Sequence, residues 1–394
     1  MSLDALRGFD MFWIVGADSL VEALHRMTPG PVTRFLGTEL DHVDWKGFHF
    51  EDLIFPMFVF MAGVSIVFSL GRTIEQRGLG AALWRVVRRS ALLYFLGVIY
   101  YGGFEHPFSG IRLMGVLQLI GLSYLIAGLT FCFLRSRPAA MAAVCGALLL
   151  GHWAAVSFVP FPDVRPTPGG DAIIAKETGF TNVTQLNFAS TTYLHSSFLK
   201  GVSLPNYVDQ KYLPGMKWDG TWDPEGLMTP ITGGACCLLG VFAGLLLQGG
   251  KTAPRRKVLC LLACGAAAVA LGWLWNFQLP VIKKIWSASF ILVAAGYASM
   301  LLAVFYFVVD VLGWRRWCQP FVWIGMNPIT IYLVANVIDE YTHVAERFAG
   351  GDIEAFFNTR VAQGLGNLIV ALLGLALAFG FAHFLYRKKV FIRL

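Results

Sequence analysis

Long runs of apolar residues constrain this sequence more than any other feature. About ten such runs follow one another from the first residues to the last, and a helix of about 20 apolar residues crosses a hydrocarbon core of about 30 Å. Only 14% of the 394 residues are charged, whereas a soluble domain carries roughly 25%. Lipid offers the backbone no hydrogen bonds, so each run is expected to be a helix. The sequence therefore predicts an all-α, polytopic integral membrane protein with a single transmembrane domain over residues 1–394.

The charge distribution predicts how these spans are oriented. Lysine and arginine concentrate in the connections after the second, fourth, sixth and eighth spans and in the C-terminal tail. Positive charge in short loops marks the cytoplasmic side, so both termini are predicted to be cytoplasmic. The net charge of +7 follows from this topology, and we expect no nucleic-acid partner. The predicted spans lie at about residues 5–24, 50–70, 87–103, 112–134, 139–159, 227–248, 258–278, 287–311, 319–340 and 362–386.

Two predicted exoplasmic loops, at about 25–49 and 160–226, are longer than connections need to be. The second is rich in Thr, Asn, Tyr, Trp, Gly and Pro. This composition suits a polar ligand such as a sugar, and it equally suits a solvated cap over the bundle. The chain is compact and shows no organelle signal, so we expect it in the inner (plasma) membrane of a bacterium.

Ionisable groups inside a membrane are costly and are therefore functional candidates. Asp10 and Asp18 in the first span are eight residues apart, which separates them by about 80° around a helix and about 12 Å along it. They either face one polar cavity or pair separately with groups in the bundle. In a later span, Pro328 follows Asn327 and breaks the helix, where Asn327 either binds a ligand or serves a structural kink.

The densest polar cluster spans residues 41–52 and contains His42. Histidine is the side chain best suited to move a proton near neutral pH, and Asp41 or Asp44 can orient its ring. A solvated loop histidine is the alternative. The spacing matches no standard zinc site, so no metal is expected. The seven cysteines lie in or beside apolar runs and are interpreted as small buried apolar residues without disulfides.

Several short motifs occur in one order along nearly the whole chain. They are Ser2–Gly8, His42-x-x-Trp45-x-Gly47 with Asp52–Phe60, Gly115–Gln118, Tyr207–Asp209, Asp223–Leu227, Leu239–Gly244, Gly325–Asn327 and Tyr332. As an ordered set they resemble the heparan-alpha-glucosaminide N-acetyltransferase family of transmembrane acetyltransferases.

The resemblance implies a donor, an acceptor and a set of site residues. The donor is acetyl-CoA reached from the cytoplasm, and the acceptor is an amine or hydroxyl of an exoplasmic saccharide, of glucosamine type in that family. His42 acts as the base or as a nucleophile that forms acetyl-histidine, Asp44 or Asp41 orients it, and Asn327 and Asp18 position the thioester. Candidates for binding acetyl-CoA are Arg7, Asp10, Arg88, Arg89, Gln118, Arg315 and Arg316; candidates for binding the acceptor are Trp45, Asp52, Arg112, Asp223 and Glu225. The family also suggests a homodimer.

This sequence departs from the family pattern at two positions. Asp18 stands where the lysosomal member places an asparagine, so Asp18 polarises a thioester carbonyl only when protonated. Leu119 stands where a basic residue often follows the glutamine. Two other hypotheses remain open. One is a secondary transporter or channel whose path is lined by Asp10, Asp18 and Asn327. The other is a structural membrane scaffold.

Overall fold

The computed structural model describes residues 1–28, 30–105, 107–165, 183–250, 252–338 and 341–391, without the side chains of Asp18 and Asn336. Most of these residues are helical. The α-helices in chain order are α1 (Ser2–Phe12), α2 (Asp18–Met27), α3 (Pro31–Glu39), α4 (Glu51–Tyr100), α5 (Val116–Leu134), α6 (Pro138–Phe158), α7 (Leu204–Tyr212), α8 (Thr229–Gln248), α9 (Pro254–Trp275), α10 (Ala288–Phe305), α11 (Gln319–Gly325), α12 (Pro328–Val337), α13 (Tyr341–Ala349), α14 (Asp352–Phe356) and α15 (Leu365–Arg387). Two short strands, β1 (Phe161–Pro162) and β2 (Tyr193–Leu194), pair in antiparallel register.

Seven of the described helices are long and apolar enough to cross a membrane. They are α4, α5, α6, α8, α9, α10 with its π-helical extension to Val311, and α15. The predicted class of helical membrane protein is therefore confirmed. The count of about ten spans and the cytoplasmic position of both termini stay predictions.

Helix α4 contains two of the predicted spans. Its 50 residues are interrupted at Gly78, where φ is +84°, a backbone conformation that glycine adopts at little cost. The Arg85 guanidinium donates to the Thr73 hydroxyl at 3.0 Å, although twelve residues of straight helix rise about 18 Å. The axis must therefore turn sharply between Thr73 and Arg85. The predicted spans 50–70 and 87–103 thus lie in separate arms of α4.

Two other predicted spans are interrupted. A π-helical segment at Trp13–Ala17, with φ of +123° at Gly16, separates α1 from α2. In the predicted span 319–340, α11 ends at Gly325 and α12 begins at Pro328, while residues 339–340 lie outside the described chain. Local breaks of this kind are common at functional sites.

Small residues allow the helices to approach closely. A Cβ atom at Gly63 of α4 would overlap the carbonyl oxygen of Cys237, and one at Gly240 of α8 would overlap that of Phe60. Such contacts are typical of helix pairs in membranes. All seven cysteines are free, and five are buried, but Cys264 on the outer face of α9 is exposed. The prediction that every cysteine is buried is therefore wrong at Cys264, because α9 turns most of its surface outward.

The polar segments predicted to be exoplasmic are structured. The loop at 25–49 contains the end of α2 and all of α3, and the long connection contains the strand pair and α7; its residues 166–182 lie outside the described chain. The backbone N–H of Gly47 donates to the Val281 carbonyl at 2.9 Å. The residues around His42 are thereby tied to the connection between α9 and α10.

Candidate active site

A cavity of about 210 Å³ opens beside His42. Its polar wall consists of His42, Glu51, Glu225 and Lys283. The rest of the wall is mostly apolar and comes from five helices or their flanks: Met11, Ile14, Ile54, Phe55, Phe58, Val116, Leu117, Ile120, Pro328, Ile329 and Tyr332. Both Ile14 and Pro328 stand at the helix breaks described above. A pocket with one polar end and apolar walls suits a ligand that carries a reactive group on an apolar arm.

His42 is positioned by Asp52 in the first turn of α4. One carboxylate oxygen of Asp52 lies 3.2 Å from His42 Nδ1, and the other accepts the backbone N–H groups of His49 at 3.0 Å and Val43 at 3.4 Å. Asp52 is fully buried, whereas the His42 side chain is 55% exposed. One buried carboxylate therefore fixes the path of the loop and also contacts the Nδ1 edge of the imidazole.

Lys283 completes this arrangement. Its Nζ atom lies 3.0 Å from Nδ1 and 3.3 Å from Nε2 of His42, and 3.4 Å from Asp52 Oδ1. Burial lowers the pKa of Lys283, and the carboxylates of Asp52, Glu225 and Glu51 oppose this shift. The result is a compact Asp–His–Lys cluster at the polar end of the cavity.

The structure places the other acids of the loop away from the His42 ring. Asp44 is 72% exposed and pairs with Lys200, and the backbone carbonyl of Asp41 lies 2.8 Å from Nδ1 of His49. The carboxylate against His42 is therefore Asp52, which the family resemblance assigns to acceptor binding, and not Asp44 or Asp41. Asp41 and Asp44 were predicted because they are close to His42 in sequence. In the structure, however, the carboxylate of Asp44 pairs with Lys200, and Asp41 contacts His49 through its backbone carbonyl.

Trp45 contacts other parts of the protein and does not line the cavity. Its Nε1–H donates to the carbonyl oxygen of Phe198 at 2.8 Å, and its ring packs edge-on against Trp222 with centroids 5.6 Å apart. Trp45 is 8% exposed and is not part of the cavity wall. It joins the His42 loop to the long connection.

Arg112, Asp223 and Glu225 form a buried ionic cluster behind the cavity. Arg112 makes two hydrogen bonds to Asp223, at 2.9 and 2.7 Å, and one to Glu225 at 2.7 Å. Its guanidinium also lies over the rings of Tyr101 and Trp218. Burial, and then the charge of Asp223, raise the pKa of Glu225 to about 7, although Arg112 acts in the opposite direction. Glu225 reaches the cavity, and Arg112 and Asp223 hold it there.

Asp10 is the neighbour in sequence of the cavity residue Met11. It is completely buried, and neither of its oxygens has a hydrogen-bond partner among the described residues. Glu51 is close enough for its charge to act on Asp10.

The remaining polar candidates in the spans are dispersed. Gln118 is buried, follows the cavity residue Leu117 and donates to the Arg112 carbonyl at 3.4 Å. Asn327 donates to the Val390 carbonyl at 2.9 Å and so contacts the C-terminal tail, although its neighbour Pro328 lines the cavity. The side chain of Asp18 lies outside the described atoms.

Two of the predicted phosphate-binding cations lie together. Arg7 donates to the Ser65 hydroxyl at 2.6 Å and to Asp4 at 3.2 Å. Its guanidinium is close enough to Arg89 for their charges to interact, and Arg89 lies over the ring of Tyr124 at 4.6 Å. Arg88, Arg315 and Arg316 are exposed, and Arg315 donates to the Val309 carbonyl.

Three ionisable cavity residues were not predicted as site residues, namely Glu51, Lys283 and Tyr332. Tyr332 belonged to the family resemblance but had received no role. Lys283 and Lys284 are two adjacent lysines in a loop predicted to be exoplasmic, where basic residues are scarce. This exception to the usual charge distribution could have indicated a functional lysine. Among the described residues, no group of three His, Cys, Asp or Glu side chains is arranged to hold a metal ion.

Comparison with known proteins finds similarity to one family of enzymes. Residues 1–169 match the family model described as heparan-alpha-glucosaminide N-acetyltransferase, catalytic. The human heparan-alpha-glucosaminide N-acetyltransferase is 29% identical over 390 residues, which covers 89% of this chain and 55% of the human protein. The mouse protein of the same name is 28% identical over 388 residues, covering 89% of this chain and 56% of the mouse protein. The chain thus spans about half the length of the curated relatives it matches, and the part that matches the family model carries His42, Asp52 and Arg112.

Proposed function

We propose that this chain is a transmembrane acetyltransferase of the heparan-alpha-glucosaminide N-acetyltransferase family, which its ordered motifs and its similarity to the human and mouse proteins of that name support. It moves the acetyl group of acetyl-CoA to an amine or hydroxyl group of a saccharide, in the first instance a glucosamine-type sugar. The observation that carries the proposal is the His42–Asp52 pair, with its 3.2 Å contact, at the polar end of a cavity whose walls are otherwise mostly apolar.

His42 performs the proton transfer. Asp52 engages Nδ1, so Nε2 accepts the proton of the acceptor amine or hydroxyl as that group attacks the thioester carbonyl. The tetrahedral intermediate then releases the thiolate of coenzyme A, which takes up a proton to give the free thiol. In the alternative route, Nε2 attacks the thioester first and passes the acetyl group on from acetyl-histidine. Both routes give an acetylated acceptor and coenzyme A.

The donor approaches from the other end of the bundle. The apolar wall formed by Met11, Ile14 and Phe58 accepts the arm of coenzyme A, and Arg7 and Arg89 bind its phosphates, since guanidinium groups recognise phosphate well. Asp52 lies beside His42, and Ser65 contacts Arg7. Thirteen residues of helix separate them, which is a distance of about 20 Å. An extended donor therefore places its thioester near His42 while its phosphates stay near Arg7.

The acceptor binds at the polar end. Glu225 and Glu51 line the cavity there, and carboxylates accept hydrogen bonds from the hydroxyl and amine groups of a sugar. Arg112 and Asp223 contribute by holding Glu225. The acceptor thus meets the acetyl group beside His42.

The proposal is tested by acetyl transfer in proteoliposomes. Labelled acetyl-CoA is supplied with a series of glucosamine-type acceptors, and the wild type is compared with His42→Ala. Loss of a general base lowers the rate by about 10²–10⁴-fold, so transfer by His42→Ala should fall by at least about 100-fold. His195→Ala is the matched control, because His195 is an exposed histidine of the long connection, and it should retain wild-type transfer.

Acetyl-CoA binding measured by calorimetry separates loss of chemistry from loss of the donor site. His42→Ala should still bind acetyl-CoA. Full transfer by His42→Ala would exclude the assigned role of this histidine. Flux of a solute through liposomes without any acetyl transfer would instead favour the transporter hypothesis.

A further inference from the structure

Lys283 is held rigidly beside His42 by the connection between α9 and α10. The backbone is fixed before Lys283, where the Ile282 N–H donates to the Ser287 hydroxyl at 3.1 Å. It is also fixed after Lys283, where the Trp286 N–H donates to the Lys283 carbonyl at 2.8 Å. Ile285 is buried, and the Lys283 side chain is only 16% exposed. The ammonium group is therefore placed at the cavity by the fold, and it is not a mobile surface charge.

The ammonium group acts on His42 mainly through its charge. Its distances to Nδ1 and Nε2 are nearly equal, at 3.0 and 3.3 Å. A directed hydrogen bond would bring Nζ close to the lone pair of one nitrogen and leave the other distant. Near-equal distances mean that Nζ lies between the two nitrogens, where it disfavours a positive charge on the ring whichever nitrogen carries the proton.

The other charges that face His42 are negative. Asp52 lies 3.2 Å from Nδ1, and Glu51 and Glu225 line the same cavity. Within the loop itself, Asp44 is paired with Lys200, and the ring of His49 contacts the Asp41 carbonyl. Tyr332 and, behind Glu51, Asp10 complete the ionisable groups around the cavity. Among the described residues that line it, Lys283 is the one lysine or arginine.

We propose that Lys283 is a positioning residue whose charge keeps the imidazole of His42 in its neutral, proton-accepting form. A carboxylate in contact with imidazole stabilises imidazolium, which cannot accept a proton. The two further acids of the cavity, Glu51 and Glu225, strengthen that effect when they are ionised, and the ammonium of Lys283 offsets it. This inference rests on the proposed acetyl transfer, and it assigns the means by which the same site operates at neutral pH.

Coulomb's law gives the expected size of the effect. One unit charge at about 3 Å changes a neighbouring titration by about one pH unit even at the dielectric constant of water. The acid limb of the pH–rate profile is the range in which the rate rises as the base loses its proton. Replacing Lys283 with an uncharged side chain should therefore move this limb to higher pH by one unit or more.

The test compares Lys283→Met, Lys283→Arg and Lys284→Met by the pH dependence of kcat/KM. Lys283→Met removes the charge at similar side-chain length, and its acid limb should lie at least about one pH unit above that of the wild type. Transfer at a pH below the limb should then fall about tenfold and recover as the pH rises. Lys283→Arg keeps the charge and should leave the limb within about 0.3 unit. Lys284→Met is the matched control, because Lys284 pairs with Asp219 at 2.8 Å.

Direct titration of His42 by NMR, in isotope-labelled protein, gives a readout that does not need turnover. The His42 midpoint should rise by about one unit in Lys283→Met and stay unchanged in Lys284→Met. An unchanged midpoint in Lys283→Met, or a loss of activity equal at every pH, would overturn the proposal. If the wild type transfers no acetyl group, the proposed function fails by itself, and the NMR titration still decides whether Lys283 controls His42.

Discussion

At the scale of single residues, Asp52 both holds the backbone of the His42 loop and contacts the His42 ring. One oxygen shapes the loop by accepting the N–H groups of Val43 and His49, and the other contacts His42. Because the carboxylate is fully buried, water cannot substitute for either contact. Orientation of the His42 imidazole therefore depends on one side chain at the start of a membrane helix.

Asp52→Asn should lower acetyl transfer strongly. An amide that replaces the carboxylate beside a catalytic histidine favours the wrong tautomer, and in comparable pairs the rate falls by up to about 10⁴-fold. We expect a loss of at least about 100-fold in kcat, with acetyl-CoA binding retained, in the proteoliposome assay.

Asp44→Asn is the matched control for this prediction. Asp44 belongs to the same loop but is exposed and paired with Lys200, so its replacement should change kcat by less than about threefold, as is typical of exposed ion pairs. A larger loss in Asp44→Asn than in Asp52→Asn would contradict the assignment of Asp52 as the partner of His42.

At the scale of elements, α7 braces the segment that carries Glu225. Asp209 of α7 accepts the N–H of Leu227 at 2.8 Å and that of Asp223 at 3.4 Å. Gly226 leaves no space for a Cβ atom against the Asp209 carboxyl group. A short helix of the long connection thus fixes the position of Glu225 at the cavity.

This brace makes stability depend on pH. Burial raises the pKa of Asp209 to about 8, whereas an unfolded aspartate titrates near 3.9. Between these values the unfolded chain binds fewer protons than the folded protein, so the free energy of unfolding decreases as the pH rises through this window. The raised pKa of Glu225 acts in the same direction.

Asp209→Asn should therefore weaken the pH dependence of thermal unfolding. In detergent, the wild-type Tm should fall between pH 5 and pH 8, and the fall should be smaller in Asp209→Asn because the amide has no proton to lose. Asp352→Asn, at an exposed acid of α14, should leave the fall as it is in the wild type. An equal fall in Asp209→Asn and wild type would show that Asp209 does not control it.

At the scale of the whole molecule, the proposed sites for acetyl transfer and for the phosphates of coenzyme A lie at opposite ends of the first arm of α4. His42 and Asp52 are at the start of α4, and Arg7 contacts Ser65 about 20 Å farther along it. A donor used from the cytoplasm requires the Arg7 end to face the cytoplasm and the His42 end to face the opposite compartment. The distribution of basic residues predicts this same orientation.

Reporter fusions check this orientation. A fluorescent protein fused to the C-terminus should fluoresce, and alkaline phosphatase inserted after His195 of the long connection should be active. Phosphatase inserted near residue 252, between α8 and α9, should be inactive and serves as the control. The reverse pattern would place His42 in the cytoplasm and would contradict the predicted topology.

The sequence by itself determined the features that depend on residues close together along the chain. Apolar runs specify membrane helices because length and hydrophobicity are local properties, and the helix break at Pro328 follows from its own chemistry. The motif order indicated the resemblance to the acetyltransferase family, and the dense polar loop indicated His42 as the candidate base. It also separated the spans 50–70 and 87–103, which lie in the two arms of α4, but it did not predict the break at Gly78 or the buried contacts of Asp209.

Only the tertiary structure decided which groups surround His42. Asp44 is two residues away in sequence but pairs with Lys200, whereas Asp52 is ten residues away and contacts the ring. Lys283 is 241 residues from His42, and no local pattern connects the two. Charge–charge contacts depend on distance in space, and distance in space between remote residues is set by how the helices and their connections pack. The sequence therefore supplied the histidine, and the packing of the connections onto α4 supplied its acid and its neighbouring charge.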